Sequence, residues 1–330
     1  MRLKLLLITA LAALCACSQG QPSAGGGPPK TLIRFATDWQ AEAEHGGFYE
    51  ALATGEYAKR GLDVHIIQGG STVNVPELVA SGAVELGDGS NSFIVMNLAN
   101  AGAPVKAVAA FMQKDPQVLL AHPDAGIKTL ADLKGHPVLL SDASKTAFWP
   151  WLKRRYGLSD DQVRSYNFNN NTFILNKNAV QEGYLTSEPY TIHKAAGFEP
   201  TTFLLADQGY PSYAAMVLAS DALIAKNPAA IRAFVEASAV GWKNYLYGDP
   251  KPADALIMKD NPSMTEDVLA QARDKMRTYH LVDGGDAGTL GIGAMSDQHW
   301  ADFFKLASDK DPANYKKAFT LAFLPNPPVK

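Results

Sequence analysis

Cysteine is almost missing from this chain, with two in 330 residues, Cys15 and Cys17, both close to its start. Structural disulfides and a cysteine-held metal cluster are therefore excluded from its body. No charge predominates, since 30 basic side chains face 33 acidic ones for a formal net charge of −3, which excludes a strongly basic nucleic-acid binder. The seven histidines, at 45, 65, 122, 136, 193, 280 and 299, form no helical i, i+4 pair, so no metal site is expected from them. A G-x-S-x-G element, a phosphate loop and a dinucleotide fingerprint are all absent, and with them any sign of a nucleophile or cofactor. What is present, 47% apolar and 9% aromatic residues, suffices for sizeable cores. The length fits two or so domains of ~150 residues each.

Arg2 and Lys4 precede an apolar run over 5–14, the layout of a signal segment too short to span a bilayer. The run ends in Leu14-Cys15-Ala16-Cys17, which resembles the bacterial lipoprotein box, where a small residue precedes a cysteine that is lipidated. Cys17 is preferred over Cys15 because bulky Leu14 would occupy the small-residue position. The expectation is a lipoprotein signal over 1–16 and a lipid on Cys17, with an ordinary secretory signal as the alternative. A flexible tether over 17–30 follows, carrying Gly25-Gly26-Gly27-Pro28-Pro29. Ser18-Gln19 lacks the aspartate that retains lipoproteins at the inner membrane, which favours the periplasmic side of an outer membrane.

Past the tether the periodicity alternates. Strands are expected over 31–36, 62–67, 84–87, 105–110, 118–121, 137–140 and 202–205, and helices over 45–59, 75–81, 91–101, 145–156 and 177–183, with a helical turn at 130–133. The last third reads as helical over 228–247, 265–279, 297–305 and 312–321. This is an α/β pattern of two βαβ units, each a mostly parallel sheet flanked by helices. Ligands of such sheets sit outside the carboxyl ends of strands, here the loops 37–47, 68–73, 87–92, 111–115, 141–146 and 182–190.

The stretch Asp38-Trp39-Gln40-Ala41-Glu42-Ala43-Glu44-His45-Gly46-Gly47-Phe48-Tyr49, with Gly55-Glu56-Tyr57, Gly61-Leu62-Asp63-Val64 and Gly69-Gly70, resembles the start of substrate-binding proteins of ABC importers. Within these it is similar to the thiamine-pyrimidine-precursor binding family, relatives of the sulfonate, taurine and nitrate binders. The similarity covers most of 31–219 and extends through Gly102-Ala103-Pro104-Val105, Leu130-Ala131-Asp132-Leu133-Lys134-Gly135 and Glu188-Pro189. It implies a two-lobe periplasmic binding protein of type II with a ligand cleft between the lobes. Lobe 1 would comprise 31–113 plus 216–330 and lobe 2 would comprise 114–215, the chain crossing near Gln113 and near Met216. It also implies ABC permease and ATPase partners, lobe closure on a small-molecule ligand, a monomeric state and no enzymatic activity. Eukaryotic relatives that synthesise the pyrimidine consume a histidine with iron and carry a cysteine-rich segment, which this chain lacks.

Candidate ligand residues follow from the strand ends. Trp39, directly after a strand, offers an indole for stacking on a planar ring or for core packing. His45, Gly46 and Phe48 stand at a helix start, where free amides and small residues permit close approach. Gly70, Ser71 and Asp88 occupy short loops after strands, and Ser144 the matching place in lobe 2. Phe148, Trp149 and Trp151 suggest a flat ligand, although adjacent helical positions cannot share a face and at least one must be core. Glu188 is the first choice, Glu182 the second, for a carboxylate accepting N–H groups of an aminopyrimidine edge, beside Tyr184; Tyr210 would close over the ligand.

Asp38, Glu44, Asp88, Glu182, Glu188 and Asp207 lie in or beside these loops against only Lys114 and Lys145. That balance favours a neutral or weakly cationic heterocycle bearing amino groups, such as a thiamine pyrimidine precursor, over sulfonate, taurine or nitrate. A ligand-sensing lipoprotein is the remaining alternative.

Overall fold

A computed structural model describes residues 29–308 and 310–330. The expected signal segment, Cys17 and the tether up to residue 28 lie outside the described residues. Among the described residues, runs of apolar side chains pair into ten strands: β1 (Thr31–Ala36), β2 (Leu62–Ile67), β3 (Leu86–Asn91), β4 (Val105–Met112), β5 (Gln117–Ala121), β6 (Val138–Leu140), β7 (Val163–Ser165), β8 (Val180–Tyr184), β9 (Thr201–Leu204) and β10 (Ala214–Ser220). They form two five-stranded sheets, ordered β2-β1-β3-β10-β4 and β7-β6-β8-β5-β9.

Each sheet is mixed in the same way. β1 runs parallel to β2 and β3, while β10 pairs antiparallel with both β3 and β4. In the second sheet β6 runs parallel to β7 and β8, and β5 is antiparallel to β8 and β9. Four strands of each sheet therefore share one direction, and one is inserted against them. The inserted strands are those the chain enters directly from the other sheet. β4 passes to β5 through 113–116, and β9 returns to β10 through 205–213. A strand entered from the edge where its neighbours end must run opposite to them. The return crossing precedes Met216, which already lies inside β10, where its backbone pairs with Gly89 and Ala110. β4, β5 and β10 are buried along nearly their whole length, as expected of strands covered on both faces.

Local structure departs from sequence expectation in several places, and the strands β7 and β10 are not among those expected. The helix over 45–59 divides into Gly46–Ala53 and Glu56–Lys59, because Gly55 adopts φ 72°. The helix over 145–156 divides into Asp142–Thr146 and Trp149–Tyr156 around Ala147 (φ −93°, ψ −100°). The short strand over 84–87 starts at Leu86 and runs to Asn91, taking Asp88 out of a loop and into the sheet. Residues 177–183, read as helix, instead contribute β8, where pairing with β5 and β6 overrides the weak helical periodicity. No helix among the described residues is long and apolar enough to cross a membrane.

The long helix Pro228–Tyr247 packs beneath the first sheet and carries Phe234 and Trp242 into an aromatic core with Phe35, Phe48 and Phe111. It approaches Gly46–Ala53 so closely that a Cβ on Gly46 would lie 2.0 Å from the Tyr245 ring, and one on Gly47 2.1 Å from that of Trp242. Gly46 and Phe48 thus serve packing between helices rather than a ligand. The ring on Phe48 is fully buried, 4.7 Å from Phe35 and 5.3 Å from Phe111. Because the indole of Trp242 has no room to yield, Gly47→Ala is expected to cost about 3 kcal/mol of stability. Urea unfolding would measure it, and a wild-type midpoint would refute the packing role.

Candidate functional site

The carboxyl ends of strands from both sheets face one cavity of about 450 Å³. From the first sheet come Asp38 and Trp39 after β1, Gly70 and Ser71 after β2, and Asp88 and Ser90 on β3. From the second come Ser141 and Ser144 after β6, Tyr166 and Phe168 after β7, and Glu182, Tyr184 and Glu188 on and after β8. The volume falls within the range of about 300–1,000 Å³ usual for small-molecule sites.

Trp39 is held by its backbone. Its carbonyl accepts from the Thr37 hydroxyl at 2.7 Å and from the Gly69 amide at 3.1 Å. A Cβ on Gly69 would lie 2.1 Å from the Thr37 carbonyl oxygen, so this approach requires glycine. The indole meets Phe168 across the cleft, centroids 4.6 Å apart and planes at 44°. Phe168 sits at φ 61°, uncommon for a bulky residue, and also contacts Tyr166 at 5.3 Å. One aromatic wall is therefore shared between the two sheets.

Six carboxylates, Asp38, Glu42, Asp88, Asp142, Glu182 and Glu188, line the cavity, and no lysine or arginine does. Of the two cations expected nearby, Lys145 pairs at 2.8 Å with Asp142, itself one of the lining carboxylates, and Lys114 pairs with Asp207 at 3.0 Å. Each carboxylate is treated differently. Burial would raise Asp38, but the His45 ring at 2.9 Å and Ser90 bring it below its ordinary value. Glu182 accepts the Ser141 amide at 3.0 Å, yet burial outweighs that bond and its serine neighbours and raises its carboxyl. Glu188 accepts the Tyr184 amide at 2.7 Å but is pushed up to about 7, chiefly by burial. Burial and then the like charge of Asp38 drive Asp88 well above its usual range. Glu42 is raised by burial and by Glu44 and Asp38. Oδ1 of Asp88 and Oε2 of Glu182 have no partner. The arrangement is thus a set of acceptors flanked by aromatic faces, suited to a flat ligand that brings its own N–H donors.

Of the residues expected from sequence, Trp39, Gly70, Ser71, Asp88, Ser144, Glu182, Tyr184 and Glu188 line this cavity. His45 lines a smaller space of about 20 Å³ behind it. Gly46 and Phe48 belong to the helix packing described above. Phe148, Trp149 and Tyr210 are corrections. Phe148 and Trp149 are almost fully buried, with the Trp149 indole donating to Asp160 at 2.8 Å. Tyr210 packs on Trp151 at 5.2 Å and stacks on Phe93 at 5.9 Å. Phe148 and Trp149 follow the helical break at Ala147 and join the core instead of the cleft, and Tyr210 joins it from the segment after Leu205–Gln208. Sequence reasoning missed Tyr166 and Phe168. Recognising β7 as a strand would have pointed to the loop that follows it.

A family model described as NMT1/THI5 like matches residues 42–253. The chain is 24% identical to the riboflavin-binding protein RibY of Chloroflexus aurantiacus, covering 97% of this chain and 95% of that protein. It is 23% identical to the formylaminopyrimidine-binding protein of Halalkalibacterium halodurans, over 79% of this chain and 76% of that one. Among solved structures, the periplasmic aliphatic sulphonate binding protein SsuA of Escherichia coli superposes with a TM-score of 0.62 at 18% identity, covering 85% of this chain and 86% of that chain. That likeness shows the periplasmic-binding-protein fold.

Glu188 and Asp115 are each raised to about 7, mainly by burial, and so bind protons more tightly folded than unfolded. Their contribution to stability is complete at low pH and is lost as pH rises through 7. Asp38 and Asp267, held below their ordinary values, oppose this only in the acid range below about pH 4. Unfolding of the ligand-free protein in urea should therefore show stability falling from pH 5 to pH 8, by at most about 1.4 kcal/mol per pH unit for each group. Glu188→Gln should flatten the slope, and a slope unchanged by that substitution would refute the assignment.

Proposed function

The chain belongs to the NMT1/THI5 like family, and on that premise we propose that it is the substrate-binding protein of an ABC importer. It captures a small aromatic heterocycle rich in N–H donors, of thiamine-pyrimidine or flavin type, and presents the closed form to a permease and its ATPase. A lipid on Cys17 anchors it as a monomer to the periplasmic side of the outer membrane, the 17–30 tether giving reach.

The observation that carries this reading is the cavity lined by six carboxylates and no lysine or arginine, with Trp39, Phe168, Tyr166 and Tyr184 around it. Unpartnered carboxylate oxygens gain most from a ligand that donates hydrogen bonds, because charge-assisted bonds are roughly twice as strong as neutral ones. The names of the two curated relatives, one riboflavin-binding and one formylaminopyrimidine-binding, support the same chemistry. Closure follows from the ligand touching both sheets: it binds the arrangement in which Trp39 and Phe168 approach better than the open one, and shifts the population accordingly.

A thermal-shift screen of the chain carrying Cys17→Ser tests it, with aminopyrimidines, thiamine, flavins, alkanesulfonates and nitrate as candidate ligands. A true ligand at 100 times its Kd adds about 2.7 kcal/mol. Stabilisation by an aminopyrimidine or a flavin is expected, and stabilisation by sulfonate or nitrate alone would overturn the reading. With the ligand in hand, Trp39→Ala should weaken binding about tenfold through lost stacking. Glu188→Gln should weaken it at least as much by calorimetry. Wild-type affinity in both variants would remove these residues from the site.

A further inference from the structure

Behind Trp39 the cleft opens into a second space of about 20 Å³, enough for one water or one bare ion. Asp38, Glu42, Glu44, His45 and Asp88 line it, and again no lysine or arginine does. Four carboxylates and one imidazole thus converge on a volume the size of a single atom or molecule.

Two observations point to a missing partner in that space. Asp88 and His45 are each 2% exposed, yet Oδ1 of Asp88 and Nδ1 of His45 have no hydrogen-bond partner. Buried polar atoms are almost always paired, and an orphaned carboxylate oxygen facing a void marks a place where something binds. The spacing also suits an ion. Nε2 of His45 lies 2.9 Å from Oδ1 of Asp38 and 3.7 Å from Oδ2 of Asp88, and one donor atom from each of the three lies within 4.8 Å of the others. A tetrahedral ion with bonds of about 2.0–2.2 Å spaces its ligands roughly 3.3–3.5 Å apart, between those two distances.

We propose that Asp38, His45 and Asp88 hold a divalent cation of the zinc class. One imidazole nitrogen with two carboxylate oxygens suits a borderline ion better than magnesium or calcium, which prefer oxygen alone. On binding, Nε2 of His45 turns from hydrogen-bond partner of Asp38 into a ligand. Asp38, Glu42 and Asp88 line both spaces, so the ion sits at the inner wall of the larger cavity. Its remaining position faces the cleft, where a ring nitrogen or carbonyl oxygen of a bound heterocycle can reach it. The cation also offsets the like charges that otherwise crowd this corner.

The test uses the full chain, untagged and carrying Cys15→Ser and Cys17→Ser to remove competing thiols, stripped with a chelator and titrated with zinc chloride by calorimetry in the absence of any heterocycle. One zinc per chain with a micromolar or tighter Kd is expected, weakened at least a hundredfold by His45→Ala and by Asp88→Asn. Glu182→Gln, which alters only the larger cavity, should leave it unchanged. No binding, or binding indifferent to His45→Ala and Asp88→Asn, overturns the site. X-ray absorption on the unsubstituted site gives a second reading that needs no cleft variant: one imidazole among oxygen ligands supports it, and several imidazoles overturn it in favour of surface histidines. Heterocycle binding measured separately in excess chelator distinguishes failure of the metal site from failure of the transport reading.

Discussion

Six carboxylates in one cleft, with no lysine or arginine among the residues that line it, are the constraint to which the rest of the site answers. Left alone, buried like charges either repel or take up protons. The protein uses several devices at once. The His45 ring and Ser90 stabilise the charge on Asp38, main-chain amides of Ser141 and Tyr184 hold Glu182 and Glu188, and the Thr186 hydroxyl donates to Glu44. Asp88 receives none of these. On β3, between β1 and β10, its Oδ2 stands 3.7 Å from Nε2 of His45 and its Oδ1 has no hydrogen-bond partner, which leaves room for a proton, an ion or a ligand.

Other carboxylates, Glu44 and Asp267, connect the two units. Thr186, just after β8, donates its hydroxyl to Glu44 of the first unit and accepts from the Gln271 amide through its carbonyl. Farther out, Tyr190 and Lys194 donate to Asp267 at 2.6 and 2.8 Å. Together with the Trp39–Phe168 pair these contacts span the mouth of the cleft from three directions. The Asp267 contacts are exposed, whereas the Thr186–Glu44 bond is buried and the Trp39–Phe168 pair is aromatic. The cores on either side are packed with rings such as Phe48, Trp242 and Trp149. The proposed closure would use the crossings at 113–116 and 205–213, the two connections between the sheets.

How much of this was legible in sequence depended on strand recognition. Trp39, Gly70, Ser144 and Glu188 follow strands or motifs whose signals are strong, and the rule that ligands gather at strand ends located all four on the cavity wall. Tyr166 and Phe168 follow β7, three residues long and without alternation, so nothing in the sequence marked its end. Asp88 was legible as a residue but not as part of a strand, because Gly87 and Gly89 read as turn formers while the sheet uses them for close packing. A Cβ on Gly87 would lie 2.4 Å from Val75. The aromatic run Phe148-Trp149-Pro150-Trp151 misled for a complementary reason. Composition says that such rings are buried somewhere, and only the backbone break at Ala147 decides against the cleft.

The likeness to a sulphonate binder and the character of the cleft bear on different questions. Superposition at 18% identity concerns the path of the backbone, which many ligand chemistries share. The ligand is chosen by the side chains at the strand ends, and there the sign of the charge is decisive. An anion placed about 4 Å from a single carboxylate is opposed by roughly 1 kcal/mol in water and about 4 kcal/mol at the effective dielectric of a protein surface. Against the carboxylates whose charge is favoured, Asp38 and Asp142, a bare sulfonate finds no cation among the lining residues to offset the repulsion. A heterocycle with amino or imide N–H groups meets the same carboxylates as acceptors, and Trp39 and Phe168 as faces. The fold thus admits both kinds of ligand, and the electrostatics of this cleft support the proposed heterocycle over a bare anion.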